Sequence, residues 1–183
     1  MLRIRIHARG GQGGKSLAQI IAEVSLKLGN FIQAFPEYGP ERSGAPTRFF
    51  VRIDNKRIKT HEPIVEPDIV IVMDETLLSD GSSLEGLTRV GILIVNTEKT
   101  REMIKEKTNF NGQIYTVPAT KIAYSTIGLN KPGTAMAGAL CRFTKLITVE
   151  SLKEDMEIIF FKKGQEIIES NKQAIEIGFN SLS

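Results

Sequence analysis

The chain has 183 residues, which suits a single domain over residues 1–183 because one hydrophobic core rarely grows beyond roughly 250 residues. Its net charge of +3 is too small to predict binding to nucleic acid or to an anionic membrane. Its one cysteine excludes an internal disulfide, a multi-cysteine zinc site and an iron–sulfur cluster held by thiolates of this chain alone. With no secretory signal and no apolar run near the ~20 residues of a spanning helix, we expect a cytoplasmic protein.

The chain begins with the first half of a βαβ unit. Residues 2–8 alternate apolar and polar side chains, which predicts a strand. A glycine-rich run, RGGQGGKS, follows over residues 9–16. Apolar residues at helical spacing then lead to Gly29, which is typical of a helix and its C-terminal cap.

The remaining pattern predicts alternating strands and helices. Further strands are expected at 31–35, 47–53, 68–74, 92–95 and 114–117, with 57–60 as a hairpin partner of 47–53. Residues 36–46 contain three prolines and two glycines and predict an irregular loop. Helices are expected at 75–89, 97–107, 119–128, 133–145, 149–162 and 165–181. We therefore predict an α/β, Rossmann-like three-layer fold whose mainly parallel sheet carries helices on both faces and a small β-hairpin excursion.

The glycine loop between strand and helix allows several interpretations. Backbone N–H groups and the helix dipole favour an anion at such a loop, and Arg9 and Lys15 add positive charge. A nucleotide-hydrolysing phosphate loop fits Gly14-Lys15-Ser16, but Arg9 stands where its first glycine belongs. A dinucleotide fingerprint lacks the acidic residue expected ~20 positions on. A loop that serves a multi-subunit assembly and glycines that only permit tight packing are the other two interpretations.

The proline-rich loop is a candidate recognition surface. Its prolines restrict the unfolded chain, so a preformed surface costs little entropy. Arg42 is suited to clamp a carboxylate or phosphate through two hydrogen bonds. A solvated connection with an internal contact between Glu41 and Arg42 is the alternative. No Ser-His-Asp, Cys-His or metal-ligand pattern emerges, so we assign no catalytic residue and no metal ligand to this chain.

Several motifs together resemble a known family. They are residues 9–16, the block QAFPEYGPERSGAP over 33–46, DIVIVMDETLL over 68–78, Asn96-Thr97, and TAMAGAL over 134–140. In this order they resemble the gamma subunit of pyruvate:ferredoxin oxidoreductase, or pyruvate synthase, within the 2-oxoacid:acceptor oxidoreductase family. The resemblance runs over nearly the whole chain, and the proline-rich block is its most specific element.

The resemblance implies a subunit of a complex rather than a complete enzyme. Such complexes decarboxylate a 2-oxoacid on thiamine diphosphate, pass electrons through [4Fe–4S] clusters to ferredoxin and transfer the acyl group to coenzyme A. Alpha, beta and delta-type subunits are then the expected partners, and thiamine diphosphate, magnesium and the clusters are expected on chains other than this one. Pyruvate is the favoured substrate, with 2-oxoisovalerate next. The alternative is a self-sufficient nucleotide-binding protein of the phosphate-loop or NAD-binding type.

By family analogy, this chain contributes to the coenzyme A side of the site. The predicted anion cradle comprises Arg9, Gly10, Gly11, Gln12, Gly13, Gly14, Lys15 and Arg42. The predicted partner interface and ligand gate comprises Glu37, Tyr38, Gly39, Pro40, Glu41, Ser43 and Gly44.

Overall fold

A computed structural model of the chain describes residues 1–37, 44–79 and 81–183. Six strands form one sheet in the order β2-β3-β1-β4-β5-β6. The strands are β1 (Leu2–Arg9), β2 (Phe31–Glu37), β3 (Pro46–Asp54), β4 (Ile69–Val72), β5 (Ile92–Asn96) and β6 (Gln113–Val117). Neighbouring strands from β1 through β4 and β5 to β6 are parallel, whereas β3 pairs antiparallel with both β1 and β2. The expected mainly parallel sheet is therefore confirmed, and its antiparallel part is formed by β3 with β1 and β2.

Within the described residues, six helices cover the two faces of the sheet unequally. They are α1 (Gly14–Lys27), α2 (Arg101–Thr108), α3 (Ala119–Thr126), α4 (Gly133–Leu140), α5 (Val149–Ile159) and α6 (Gln165–Asn180). Helices α1, α3, α4, α5 and α6 share one apolar core with the sheet residues Ile4, Ile6, Ile71 and Ile94. Helix α2 and the chain between β4 and β5 cover the other face over Val70, Val72 and Leu93. Strand β4 is apolar throughout because both of its faces are buried.

The expected helix at 75–89 is wrong. Two short 3-10 turns, Glu75–Leu78 and Ser82–Leu84, occupy this segment. Gly86 has a φ of +72°, and a Cβ atom there would lie 1.8 Å from the carbonyl oxygen of Val65. The backbone at Gly86 therefore packs directly against the backbone at Val65. Its positive φ angle is incompatible with a continuous helix over residues 75–89.

The hairpin expected from residues 57–60 is also wrong, because those residues form no strand and β3 has β2 and β1 as neighbours. Pro36 and Glu37 belong to β2 and Pro46 to β3, so the irregular segment is shorter than expected. The predicted helices at 133–145 and 149–162 end earlier, at Leu140 and Ile159.

Within the described residues, no helix is long and apolar enough to cross a membrane.

Candidate functional site

The order of the strands creates a crevice at the carboxyl ends of β1 and β4. From β1 the chain crosses through α1 toward β2 on one side of the sheet, and the chain from β4 continues toward β5 on the other side. At such a reversal the loops after the two strands diverge, which leaves room for a ligand at the sheet edge. The glycine loop follows β1 at this point, and Asp74 follows β4.

The glycines of the loop have two different physical roles. Gly11 and Gly13 adopt φ angles of +91° and +87°, and a Cβ atom on either would meet no other atom within 4 Å. Glycine is needed at these positions for its backbone conformation, because residues with a side chain rarely adopt positive φ angles. At Gly14 a Cβ atom would lie 2.7 Å from the side chains of Ala8 and Phe49. Gly14 therefore permits close packing of α1 on the sheet, so one part of the packing interpretation is correct.

A network of polar side chains spans the crevice. The Gln12 side chain accepts a hydrogen bond from the Arg9 backbone N–H at 2.9 Å and donates one to Asp74 Oδ2 at 2.7 Å. The guanidinium of Arg9 lies 3.3 Å from Asp74 Oδ2 and donates to Thr76 Oγ1. Asp74 Oδ1 in turn accepts from the backbone N–H and the hydroxyl of Thr76. The positive charge of Arg9 is thus largely compensated by an internal carboxylate.

Asp74 is held in its ionised form. Partial burial acts to raise the pKa of its carboxyl, but the hydrogen bonds from Thr76 and Gln12 and the charge of Arg9 outweigh this effect. The net result is a pKa below the ordinary value for aspartate. At neutral pH this side chain therefore only accepts hydrogen bonds, which suits an anchor for the loop.

The glycine loop is also tied to the start of β3. The Gly10 N–H donates to Ala45 O at 2.9 Å, and the Gly44 N–H donates to Gly10 O at 3.3 Å. Arg9 Nη1 adds a hydrogen bond to Gly44 O at 3.2 Å. The end of the proline-rich segment therefore lies beside the glycine loop.

A cleft of about 720 Å³ opens on the other side of the glycine loop. Its walls are the loop, the connection between α3 and α4, and the residues around the start of α6. Thr134 lines this cleft and is 5% exposed, yet its hydroxyl oxygen has no hydrogen-bond partner within the described part of the chain. A buried polar group without a partner is costly, so this hydroxyl is a candidate donor to a ligand in the cleft.

Two helices begin at this cleft. A Cβ atom on Gly133, the first residue of α4, would lie 3.7 Å from the carbonyl oxygen of Gly13, which precedes α1. Neither helix has a side-chain cap at its N-terminus. Lys131 and Lys163 also line the cleft and are exposed. The helix N-termini and the two lysines favour an anionic group in this part of the cleft, which Glu166 also lines.

A second crevice of about 310 Å³ lies at the ends of β5 and β6. Its polar groups are already paired with one another. Glu75 accepts hydrogen bonds from Thr97 and Lys99, and Asn96 bridges Met73 O and Thr120. This crevice therefore holds fewer free polar groups for a ligand than the cleft beside Thr134.

The structure brings most of the described predicted site residues together. Arg9, the loop from Gly10 to Gly14, and Gly44 lie at one sheet edge. Lys15 is exposed at the start of α1. Glu37 forms an ion pair with Arg48 of β3. Arg42, Tyr38, Gly39, Pro40, Glu41 and Ser43 lie outside the described residues, so their roles stay predictions.

Lys131 and Thr134 were not predicted as parts of this site, and Asp74 was not assigned to the predicted anion cradle. Asp74 was recognisable as the polar end of a buried strand, but its partner Gln12 lies 62 positions earlier in the sequence. Thr134 stands in an otherwise small and apolar helix, and nothing in that pattern distinguishes it from a core residue. Among the described residues, no group of three or more His, Cys, Asp or Glu side chains is arranged to hold a metal ion.

Comparisons with known proteins identify the family of the chain. The family described as pyruvate ferredoxin/flavodoxin oxidoreductase matches residues 3–181. The chain is 47% identical over 180 residues to pyruvate synthase subunit PorC of Thermotoga maritima, covering 98% of this chain and 93% of that protein. It is 42% identical over 181 residues to the pyruvate/ketoisovalerate oxidoreductases common subunit gamma of Thermococcus kodakarensis, covering 98% and 96%.

The fold is similar to a solved structure over its whole length. The crystal structure of pyruvate oxidoreductase subunit PORC from Thermotoga maritima superimposes with a TM-score of 0.90 at 45% identity. The match covers 100% of this chain and 97% of that one. The family match extends over nearly all residues, including the glycine loop, Asp74 and Thr134. The chain therefore belongs to the pyruvate ferredoxin/flavodoxin oxidoreductase family.

Proposed function

We propose that this chain is the gamma subunit of a multi-subunit pyruvate:ferredoxin oxidoreductase, with 2-oxoisovalerate as the next substrate to test. Its full-length similarity to subunits of pyruvate synthase and of pyruvate/ketoisovalerate oxidoreductases supports this function. In the complex, thiamine diphosphate supplies the carbanion chemistry of decarboxylation and iron–sulfur clusters carry the electrons to ferredoxin. One cysteine is too few for a four-thiolate cluster, so we assign the clusters and the thiamine diphosphate with its magnesium to alpha, beta and delta-type partner chains.

This chain's own contribution is to bind the phosphate-bearing part of coenzyme A. The single observation that carries this proposal is the buried hydroxyl of Thr134, a residue that lines the cleft beside the glycine loop, which has no hydrogen-bond partner among the described residues. A phosphate oxygen accepts a hydrogen bond from such a hydroxyl and from N–H groups at the starts of α1 and α4. Lys131 and Lys163 supply compensating charge.

The cleft also has an apolar portion. Ile20, Leu129 and Ile167 are among its lining residues. Sites for cofactor-sized molecules typically combine such apolar walls with a few polar groups that fix orientation. Coenzyme A has both a charged nucleotide end and a less polar pantetheine chain, so one ligand satisfies both parts of the cleft. By contrast, Arg9 binds Asp74 and serves the loop rather than the ligand.

The test uses the complex purified anaerobically with a tag on this chain. We expect thiamine-binding and ferredoxin-like chains to copurify and the complex to reduce a dye with pyruvate only when coenzyme A is present. Thr134→Val removes the hydroxyl at nearly constant volume and is expected to raise the KM for coenzyme A about fivefold, with the KM for pyruvate unchanged.

Lys145→Gln is the matched control for Lys131→Gln. Lys145 is a lysine that lines a different cleft, beside Cys141 and Phe179, and we expect its removal to leave the coenzyme A KM unchanged. Lys131→Gln should raise that KM. A chain that is recovered alone and binds ATP or NAD at micromolar concentration would overturn the subunit assignment and favour a self-sufficient nucleotide-binding protein.

A further inference from the structure

Two arginine–aspartate pairs join β1 to β4, one at each end of the strand pair. At the amino ends, Arg3 donates to both carboxylate oxygens of Asp68, with Nη2 to Oδ1 at 2.8 Å and Nε to Oδ2 at 3.2 Å. At the carboxyl ends, Arg9 Nε lies 3.3 Å from Asp74 Oδ2. The two pairs have similar chemistry, but only the second pair contacts the glycine loop.

The side chain of Gln12 links the pair of Arg9 and Asp74 to the glycine loop. Its carboxamide oxygen accepts from the Arg9 backbone N–H, and its carboxamide nitrogen donates to Asp74 Oδ2. Gln12 therefore uses both ends of its side chain to hold the loop between the two strands. The flanking Gly11 and Gly13 have positive φ angles, and glycine has the backbone that sterics restrict least. The Gln12 side chain and its two partners therefore act together with the backbone hydrogen bonds to Gly44 and Ala45 in fixing the loop's conformation.

Asp74 organises the donors around it. Its Oδ2 accepts from Gln12 and faces Arg9, while its Oδ1 accepts from Thr76. An asparagine has one oxygen, so after Asp74→Asn either Gln12 or Thr76 would face an NH2 group instead of an acceptor. The same network reaches the start of β3, because Arg9 Nη1 donates to Gly44 O.

We propose that Asp74 is a positioning residue for the ligand of the glycine loop, acting through Gln12 and Arg9. It holds the loop and the start of β3 in the single arrangement in which the cleft beside Thr134 receives its anionic ligand. Asp74 itself does not contact the ligand. This inference rests on the proposed function for the identity of that ligand, coenzyme A, but the positioning itself is measurable without it.

The first measurement is amide hydrogen exchange on the full chain. The Gln12 and Gly10 amides donate to Arg9 O at 3.1 Å and to Ala45 O at 2.9 Å, so both are expected to be protected in the wild-type chain. We expect Asp74→Asn to accelerate their exchange about tenfold or more, because the loop opens more often. Asp68→Asn is the matched control, since it removes a carboxylate from the other end of β4. It should leave the Gln12 and Gly10 amides unchanged.

The second measurement is the KM for coenzyme A of the assembled complex. Asp74→Asn and Gln12→Leu should each raise it about fivefold, with the KM for pyruvate unchanged and kcat little affected. The double variant should be no worse than the stronger single variant, because the two residues share one hydrogen bond. If Asp74 only stabilised the pairing of β1 with β4, Asp68→Asn would raise the KM for coenzyme A by the same factor.

The outcomes separate the positioning from the proposed function. Unchanged exchange at Gln12 and Gly10 in Asp74→Asn would overturn the positioning, whatever the KM. Faster exchange together with a higher KM would support both. Faster exchange with an unchanged coenzyme A KM would support the positioning of the loop and overturn coenzyme A as its ligand.

Discussion

Gly138 of α4 and Gly178 of α6 lie at the crossing of these two helices, where each allows the other's backbone to approach. A Cβ atom on Gly138 would lie 2.1 Å from the carbonyl oxygen of Ile175, and one on Gly178 would lie 2.1 Å from that of Ala135. Every residue of α4 is buried. The helix that begins at the proposed ligand cleft is therefore held in place by backbone-to-backbone packing.

Gly138→Ala should destabilise the chain by about 2–3 kcal/mol, because the new methyl group meets backbone atoms that move only if α6 shifts. Urea unfolding of the full chain measures this change. Gly133→Ala is the control in the same helix, since its Cβ atom would make ordinary contacts of 3.7 Å and longer. We expect it to change stability by less than about 0.5 kcal/mol. Equal effects of the two substitutions would contradict the packing argument.

Arg5→Met should lower the free energy of unfolding by about 3 kcal/mol. Arg5 is 3% exposed, and it donates hydrogen bonds to several backbone carbonyl oxygens of the segments that cover the sheet. Its guanidinium donates to Ile64 O and Ser83 O at 3.2 Å each, and to the ring of His7. Thermal unfolding measures the effect. Arg3→Met on the same strand removes a half-exposed ion pair and should cost less than about 1 kcal/mol. Similar costs at both positions would refute the special role of Arg5.

Glu75→Gln should lower stability by about 1 kcal/mol at neutral pH and have little effect in acid. Partial burial acts to raise the Glu75 pKa, but hydrogen bonds from Lys99 and Thr97 bring it below its ordinary value of 4.5. A carboxyl whose folded-state pKa is depressed stabilises the fold above the unfolded-state pKa, and this stabilisation disappears as the pH falls through the folded-state pKa.

Denaturant titrations of Glu75→Gln and the wild-type chain at several pH values check this prediction. The stability difference between the two should be constant above about pH 5 and shrink as the pH falls below about 4.5. A difference that persists undiminished at pH 3, where the chain still folds, would show that Glu75 acts through packing and not through its charge.

Cys141 should react slowly with iodoacetamide in the folded chain. Burial, with the charge of Glu150, raises the pKa of its thiol to about 12. At pH 8 the reactive thiolate is then about a thousandfold rarer than for a free cysteine. Mass spectrometry follows the alkylation of this single thiol, with the urea-unfolded chain as the control. A rate that levels off between pH 8 and 9 would contradict the raised pKa.

The continuous apolar runs before Asp74 and Asn96 predicted β4 and β5 correctly. A strand that is buried on both faces is composed almost entirely of apolar residues, so its sequence is recognisable. The segment 75–89 was less informative. Its paired leucines, such as Leu77 and Leu78, occur at spacings that also suit a helix, but Gly81 and Gly86 adopt positive φ angles there. Local periodicity does not reveal which backbone a glycine must meet.

The sequence by itself determined the fold class, the glycine loop at the start of a helix and the family, since each depends on local pattern or on an ordered series of motifs. Only the tertiary structure decided which side chains pair with one another at the sheet edge. Arg9 looked free but binds Asp74, and Thr134 looked like a core residue but has a buried hydroxyl without a partner among the described residues. The physical reason is that pairing depends on distances between residues far apart in the chain, which only the packed sheet and helices establish.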